Sequence, residues 1–188
     1  MNRVELERSY WNQAALDPEV DIKYISDIST EECLDALGDE VVEPGMILDI
    51  GCGVGRISNE VGAVGIDISE NMLEIARKGE RFDDQYWICD GRTIPFSDDT
   101  FDSAYSMLLF QHLQADAFRQ YIGEIFRVLK IGGIFRFQFI EGISNEPFSN
   151  HYPLELVELW LEEAGFDLPE SIDRGLGHPQ WTWISVVK

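Results

Sequence analysis

From position 46 onward, short apolar runs alternate with segments whose apolar residues recur at helical spacing. The apolar runs predict strands and the intervening segments predict helices. The predicted strands are 46–50, 63–67, 85–89, 101–107 and 134–140, and the predicted helices are 55–61, 69–78, 115–130 and 153–164. Strands that alternate with helices indicate a parallel sheet covered by helices on both faces.

The two ends of the chain depart from this alternation. Extended stretches at 170–174 and 180–187 are joined by only the short segment 175–179. A parallel crossover needs about a dozen residues or more, so these two strands should form an antiparallel hairpin. Residues 1–45 are polar and predict helices at 4–15 and 30–37. We therefore expect an α/β fold with a doubly wound, mostly parallel, seven-stranded sheet that ends in a C-terminal antiparallel hairpin.

Length and composition agree with a globular protein of one domain. The chain has 188 residues, of which 45% are hydrophobic, and no repeat or linker divides the sequence. The chain has three cysteines and no C-x-x-C pair, so neither a disulfide framework nor a metal site is expected. Cys33 and Cys89 are expected to be small buried side chains. The charged N-terminus lacks the apolar stretch of a signal peptide, and we expect a cytoplasmic protein.

The charge balance is strongly acidic. Thirty-five acidic residues against fourteen basic ones give a formal net charge of −21. Such a surface repels phosphate backbones and anionic membranes, so we expect no nucleic acid and no membrane as direct partner. An acidic excess also favours solubility, and adaptation to high salt is an alternative that the sequence leaves open.

A glycine turn carries the clearest chemical signal. The run LDIGCGVGR, at positions 48–56, follows the first predicted strand of the core and opens a helix. Glycines there allow a tight turn and the close approach of a ligand, and a helix N-terminus favours an anionic group. The spacing is G-x-G-x-G followed by Arg56, so the third glycine of the dinucleotide fingerprint is missing.

Two aspartates end the next two strands. Asp67 closes the second strand, and Asp90 follows the third in the run CDG. In doubly wound sheets ligands lie at this carboxyl edge, where a carboxylate accepts hydrogen bonds from ribose hydroxyls. Asp90 with a neighbouring backbone N–H would suit the polar edge of adenine. The alternatives are a helix-flanking aspartate for Asp67 and a turn Asp-Gly pair for Asp90.

These motifs together resemble class I S-adenosylmethionine-dependent methyltransferases of the small-molecule type, which carry the ubiquinone-biosynthesis-like methyltransferase domain. The segments LDIGCGVGRIS, GIDIS, CDGRTIPFSDDTFD, SMLLFQHL and LKIGGIF occur in the family's order over about 46–140. The resemblance implies a Rossmann-like core at 46–188, an N-terminal helical lid segment at 1–45, and S-adenosylmethionine as cofactor. Compared with the family, the stretch from Arg56 to Val64 is short, which predicts a stunted first helix.

The resemblance also assigns roles to individual positions. The glycine turn, with Asp49, would hold the methionine part of the cofactor, Asp67 its ribose, and Asp90 with Gly91 its adenine edge. Ile68 and Met72 would pack on the adenine, and the end of the fourth strand would lie beneath the sulfonium. The implied cofactor-binding residues are Asp49, Gly51, Cys52, Gly53, Asp67, Ile68, Met72, Asp90, Gly91, Ser106 and Met107.

Candidates for the acceptor side follow the fourth strand or belong to neighbouring loops. His112 is the candidate general base, and its alternative is a loop histidine that bonds to the backbone. Gln111, His151 and Tyr152 are further candidates near the acceptor. Tyr10 and Trp11 could cover the cofactor as a lid, or could simply pack a surface helix onto the sheet edge.

The leading functional hypothesis is methyl transfer to an oxygen, nitrogen or carbon atom of a small-molecule acceptor, by a monomer or homodimer. A nicotinamide-dependent oxidoreductase would also use Asp67, but the missing third glycine argues against it. A catalytically inactive, methyltransferase-like subunit that binds a partner protein stays open, because the sequence offers no unambiguous catalytic base.

Overall fold

The computed structural model describes residues 2–17, 28–42, 45–144, 149–167, 169 and 171–188. Pro44, and Glu170 at the predicted start of a strand, lie outside the described residues. The strands are β1 (Ile47–Ile50), β2 (Val64–Asp67), β3 (Tyr86–Ile88), β4 (Phe101–Ser106), β5 (Leu129–Ile140), β6 (Ser171–Arg174) and β7 (Trp181–Val187). They form one sheet in the order β3-β2-β1-β4-β5-β7-β6.

The sheet is mixed in the predicted way. β1 to β5 run parallel to one another, whereas β7 pairs antiparallel with both β5 and β6. From β1 the chain continues to β2 on one side, and from β4 it continues to β5 on the other side. The carboxyl ends of β1 and β4 therefore border a topological switch point, where doubly wound sheets bind ligands. The fold class expected from the sequence is thus confirmed.

Helices cover both faces of this sheet. They are α1 (Arg3–Ala14), α2 (Thr30–Leu37), α3 (Asp39–Val42), α4 (Arg56–Val61), α5 (Glu70–Ala76), α6 (Ala115–Val128) and α7 (Leu154–Ala164), with 3₁₀ turns at Arg77–Gly79 and Phe110–His112. Capping boxes begin α1 at Asn2 and α2 at Ser29, and the Ser69 hydroxyl caps α5. The helix after the glycine turn has only six residues, as its short sequence predicts.

One predicted boundary is wrong. The sequence favours a helix to position 130 and a strand from 134, but α6 ends at Val128 and β5 begins at once with Leu129. Leu129 is fully buried and pairs with Phe101, and the register then shifts around Gly132 and Gly133. The apolar contact of Leu129 with the sheet outweighs the helical continuation, and Gly132 accommodates the bulge at a φ of +79°.

A buried arginine ties the N-terminal helices to the C-terminal hairpin. The Arg136 guanidinium donates to the carbonyl of Ala36 at the end of α2 and to the hydroxyls of Ser171 and Ser185. It also forms an ion pair of 3.0 Å with Asp173. Because each guanidinium nitrogen has a partner, this charge can lie in the protein interior.

The hairpin and the cysteines follow the sequence expectations. Trp181 and Trp183 are buried on one face of β7, so these rings serve core packing. Cys33 and Cys89 are buried as well, and neither forms a disulfide. In the part of the chain that the structure describes, none of the helices combines the length and apolar composition needed to cross a membrane.

Helix α1 docks over the carboxyl edge of the sheet through polar contacts. Arg8 donates from Nε to the carbonyl of Ile68 over 3.2 Å, and from a terminal nitrogen to the carbonyl of Cys89 over 3.5 Å. The Asn12 side chain accepts from the Ser69 hydroxyl at 2.8 Å. Arg8 therefore spans the ends of β2 and β3, and α1 forms a roof over the space between them.

Candidate functional site

A cavity of about 850 Å³ lies between the carboxyl edge of the sheet and α1. Its volume falls in the usual range of about 300–1,000 Å³ for small-molecule and cofactor sites. Most of the residues predicted from the sequence line it. These are Tyr10, Trp11, Asp49, Gly51, Cys52, Gly53, Asp67, Ile68, Met72, Gly91, Met107, Gln111 and His112.

The glycine turn supplies the floor of the cavity. Gly51 and Gly53 have φ of +76° and +53°, a region that side chains other than glycine rarely adopt. A Cβ atom at Gly53 would meet no protein atom within 4 Å, so its backbone faces open space. A ligand can therefore approach this backbone closely.

Asp49 lies buried below the turn with one oxygen fully engaged. Its Oδ2 accepts from the Ser58 hydroxyl at 2.5 Å and from the Tyr105 phenol at 2.9 Å. Burial raises the pKa of Asp49 to about 7, although these two hydrogen bonds oppose the shift. Asp49 also lines the cavity, and Oδ1 accepts from none of the described residues. A cationic group in the cavity would therefore find a poised carboxylate.

Asp67 is held by backbone donors at the end of β2. Its two oxygens accept from the N–H of Gly53 at 3.0 Å and the N–H of Ser69 at 2.8 Å. Burial raises the pKa of Asp67, and these N–H groups lower it in turn. Each oxygen keeps a lone pair for a ligand, and the bond to Gly53 links this carboxylate to the glycine turn. The pair of carboxylates fits a ligand with both a cationic amino group and vicinal hydroxyls.

Four predicted site residues do not line the cavity. The Asp90 carboxylate closes a turn, because it accepts from the N–H groups of Arg92 and Thr93. Ser106 is buried and donates its hydroxyl to the Ile50 carbonyl. The remaining two, His151 and Tyr152, also lie outside the lining, and Tyr152 donates its phenol to the Leu113 carbonyl at 2.6 Å. Local or core hydrogen bonds thus occupy Asp90, Ser106 and Tyr152 in this structure.

Aromatic rings from α1 and the 3₁₀ turn at Phe110–His112 line the cavity. Trp11 on α1 contacts His112 edge to face, with ring centroids 5.3 Å apart, and contacts Tyr10 at 5.1 Å. Trp11 also packs against an apolar cluster that includes Val54 and Met72. Tyr10 and Trp11 therefore lie at the cavity wall, and Trp11 also packs α1 against the core. Their role as a lid over the cofactor stays a prediction.

Several residues around the site escaped the sequence reasoning. Ser58 and Tyr105 bond to Asp49, and Arg8 and Asn12 dock α1. Gln138 of β5 bonds to both Leu108 and Gln111 beside the cavity. The polar residue Gln138 between Phe137 and Phe139, near the carboxyl end of β5, was the available signal.

Comparison with known proteins indicates the family to which this fold is related. Residues 48–137 match the family described as "Methyltransferase domain". The chain is 40% identical over 89 residues to an 18S rRNA (guanine-N(7))-methyltransferase, bud23, of Schizosaccharomyces pombe, covering 44% of this chain and 31% of that protein. It is 35% identical over 145 residues to a sterol 24-C-methyltransferase of Yarrowia lipolytica, covering 71% of this chain and 37% of that protein. The chain thus spans about a third of the length of these relatives.

A solved structure extends the similarity to the whole fold. Magnesium protoporphyrin IX methyltransferase of Synechocystis, crystallised with S-adenosylhomocysteine, matches with a TM-score of 0.74 at 16% identity and covers 98% of this chain and 99% of that chain. At this identity the match concerns the fold alone, and the family assignment rests on the sequence match of residues 48–137. The chain therefore contains a methyltransferase domain with the fold of the class I S-adenosylmethionine-dependent methyltransferases.

Proposed function

We propose that this protein binds S-adenosylmethionine and transfers its methyl group to an oxygen, nitrogen or carbon atom of a small molecule. The observation that carries the proposal is the pairing of Asp49 and Asp67 on either side of an open glycine turn. The cofactor supplies a methyl group on a sulfonium, and S-adenosylhomocysteine is the product.

The chain's own residues would divide the binding of the cofactor. Asp49 would bind the amino group, the backbone at Gly53 would lie against the methionine part, and Asp67 would accept from the ribose hydroxyls. Ile68, Met72 and Gly91 all line the cavity, and the first two would give apolar surface for the adenine. For Asp90 to reach the adenine, its turn bonds to Arg92 and Thr93 would have to rearrange.

The acceptor would occupy the part of the cavity beneath α1. Trp11, Gln111 and His112 line the cavity, and α1 would exclude water from the bound acceptor. Orientation of an acceptor lone pair against an activated methyl group supplies much of the rate, so a general base is needed only when the acceptor must lose a proton. His112 is the candidate general base that would accept this proton.

A small molecule is favoured over a nucleic acid by charge. The chain carries a net charge of −21, which opposes the approach of a phosphate backbone. The similarity to bud23, named as an rRNA methyltransferase, makes RNA the competing acceptor, and a basic partner protein would then have to supply the contacts to phosphate.

The test is a cofactor-consumption screen. The protein is incubated with S-adenosylmethionine and panels of phenols, amines, carboxylic acids and sterols, with RNA as a separate arm, and release of S-adenosylhomocysteine is followed. Turnover with a small molecule supports the proposal. Turnover with RNA alone would show that the acceptor is RNA and not a small molecule. Binding of the cofactor without turnover in any arm supports the alternative, a methyltransferase-like subunit that binds a partner.

A further inference from the structure

A hydrogen bond between buried Gln138 and half-buried Gln111 fixes the orientation of one amide beside the cavity. The backbone N–H of Leu108 donates to Oε1 of Gln138 over 3.0 Å, and Nε2 of Gln138 donates to Oε1 of Gln111 over 2.9 Å. Gln138 is fully buried, whereas Gln111 lines the cavity. Each donor in this chain of hydrogen bonds therefore points toward the cavity wall: Leu108, just after β4, donates to Gln138 of β5, and Gln138 donates to Gln111.

The directions of these bonds do not depend on which amide atom is called oxygen or nitrogen. A backbone N–H can only donate, so Gln138 must place its oxygen toward Leu108. Its NH₂ group then faces Gln111, which must answer with its own oxygen. The Gln111 oxygen is thereby occupied, and its NH₂ group is the end left for a ligand. Among the residues that the structure describes, none accepts a hydrogen bond from this group.

The surrounding backbone holds this arrangement in place. Leu108 has a φ of +61°, in the left-handed region that a leucine rarely adopts. The Gln111 carbonyl accepts from the N–H of Asn150 at 2.6 Å, which fixes the 3₁₀ turn from the opposite side. Backbone strain of this kind clusters at sites that position a ligand, and the buried Gln138 amide is fully engaged by Leu108 and Gln111.

We propose that Gln111 donates a hydrogen bond from Nε2 to the methyl acceptor, and that the site therefore selects acceptors with a hydrogen-bond-accepting oxygen beside the methylated atom. Gln138 is the positioning residue that keeps the Gln111 amide in this orientation. This inference rests on the proposed function, because it concerns the acceptor half of the same cavity. Carbonyl compounds, phenolates and carboxylates meet the requirement, whereas simple alkylammonium ions do not.

The inference can be tested with two probes of opposite hydrogen-bonding character. Acetophenone only accepts hydrogen bonds, and protonated benzylamine only donates them. Each is titrated into protein labelled with ¹⁵N-glutamine, with and without S-adenosylhomocysteine, while the Gln111 side-chain amide is followed by NMR; Gln111→Ala assigns the signal. The affinities are compared in the presence of S-adenosylhomocysteine, because its amino group would occupy Asp49, which otherwise attracts benzylammonium. We expect acetophenone to shift the Gln111 signal and to bind roughly three- to tenfold more tightly than benzylamine, the range for one net hydrogen bond.

Matched variants separate orientation from charge. Gln111→Glu keeps the bond from Gln138 but offers only oxygen to the cavity, so the preference should reverse in favour of benzylamine. Gln114→Glu introduces the same charge at another position of the cavity lining and should keep the original order. Gln138→Leu should bring the affinities for the two probes to within about twofold, because the freed Gln111 amide can offer either end, with unchanged affinity for S-adenosylhomocysteine.

The outcomes are distinct from those of the proposed function. Failure of S-adenosylhomocysteine to bind overturns the proposed function, while the Gln111 signal in the free protein still reports on the amide. Tighter binding of benzylamine to the wild type, no Gln111 response to acetophenone, or an unchanged preference in Gln111→Glu overturns the inference. If Gln138→Leu does not fold, the comparison of Gln111→Glu with Gln114→Glu decides alone.

Discussion

The phenol of Tyr105 on β4 donates a 2.9 Å hydrogen bond to Oδ2 of Asp49 on β1, the neighbouring strand. Both residues are buried, and Ser58 donates to the same oxygen. These hydrogen bonds stabilise the carboxylate only in part, because burial still raises the pKa of Asp49 to about 7. The free protein thus holds a carboxyl group that titrates near neutral pH in the cavity wall.

The first prediction concerns the pH dependence of stability. Because the pKa of Asp49 rises from 3.8 to about 7 on folding, the folded state binds a proton more tightly than the unfolded state. Its contribution to the free energy of unfolding is therefore fully present below about pH 4 and is lost as pH rises to 7, by at most about 4 kcal/mol. Thermal unfolding of the free protein between pH 5 and pH 8 should show this decline as a falling unfolding temperature.

Asp49→Asn isolates this contribution, since asparagine does not titrate. The variant should lose the part of the decline between pH 5 and pH 8 that Asp49 causes, whereas the exposed control Asp35→Asn should behave like the wild type. Identical pH profiles for Asp49→Asn and the wild type would contradict the raised pKa.

The second prediction concerns Asp67 and the ribose. Asp67→Ala removes the acceptor for two ribose hydroxyls, each charge-assisted bond being worth about 1.5–3 kcal/mol, so the affinity for S-adenosylhomocysteine should fall at least about tenfold. Calorimetric titration measures this loss. The variant should also unfold at a lower temperature, because the N–H groups of Gly53 and Ser69 lose their partner. An unchanged dissociation constant would mean that the ribose lies elsewhere.

The third prediction concerns α1 as a lid. Arg8→Ala removes the bonds to the carbonyls of Ile68 and Cys89, so α1 should open more often without loss of the sheet. Backbone amides of Tyr10 and Trp11 should exchange hydrogen faster in the variant, and S-adenosylhomocysteine should slow this exchange in the wild type. Deletion of residues 1–15 should reduce turnover more than it lowers the unfolding temperature of the core.

The control for the lid is Arg119→Ala, which removes an exposed ion pair between α6 and α7, away from the cavity lining. It should leave exchange at Trp11 unchanged. If the truncated protein keeps full turnover and the ligand gives Trp11 no protection, α1 is only a surface helix.

The sequence predicts the sheet well because its evidence is local. Apolar runs, the caps at Ser29 and Ser69, and the glycine turn each act within a few residues, and the structure contains all of them. The short link between the last two strands likewise suffices to predict the antiparallel hairpin.

The parts that escape prediction depend on contacts between distant segments. Arg8 meets the carbonyl of Ile68 sixty residues away, and Gln138 meets the N–H of Leu108 thirty residues away. Such polar contacts leave no periodic pattern in the sequence. Asp90 shows the reverse problem, since its place at a strand end predicts a ligand contact while its bonds to Arg92 and Thr93 satisfy a turn.

The fourth prediction concerns nucleic acid. At a net charge of −21 the isolated protein should not retard DNA or RNA in a gel at moderate salt. Binding to phosphates needs lysine and arginine side chains that displace their counterions, and the acidic excess opposes this. A retardation that weakens steeply with salt would reveal a basic patch and would favour RNA as acceptor.

The last prediction separates two roles of His112. As a general base it should contribute about 10²–10⁴ to turnover for an acceptor that must lose a proton, and as a packing partner it should only support Trp11, whose ring lies 5.3 Å away. His112→Ala removes both roles, whereas His112→Phe keeps an aromatic ring against Trp11 and removes the base. If His112 is the base, both variants lose turnover at least about tenfold and keep S-adenosylhomocysteine affinity within a few fold. If His112→Phe is as active as the wild type and His112→Ala is not, the histidine acts through Trp11 and the position of α1.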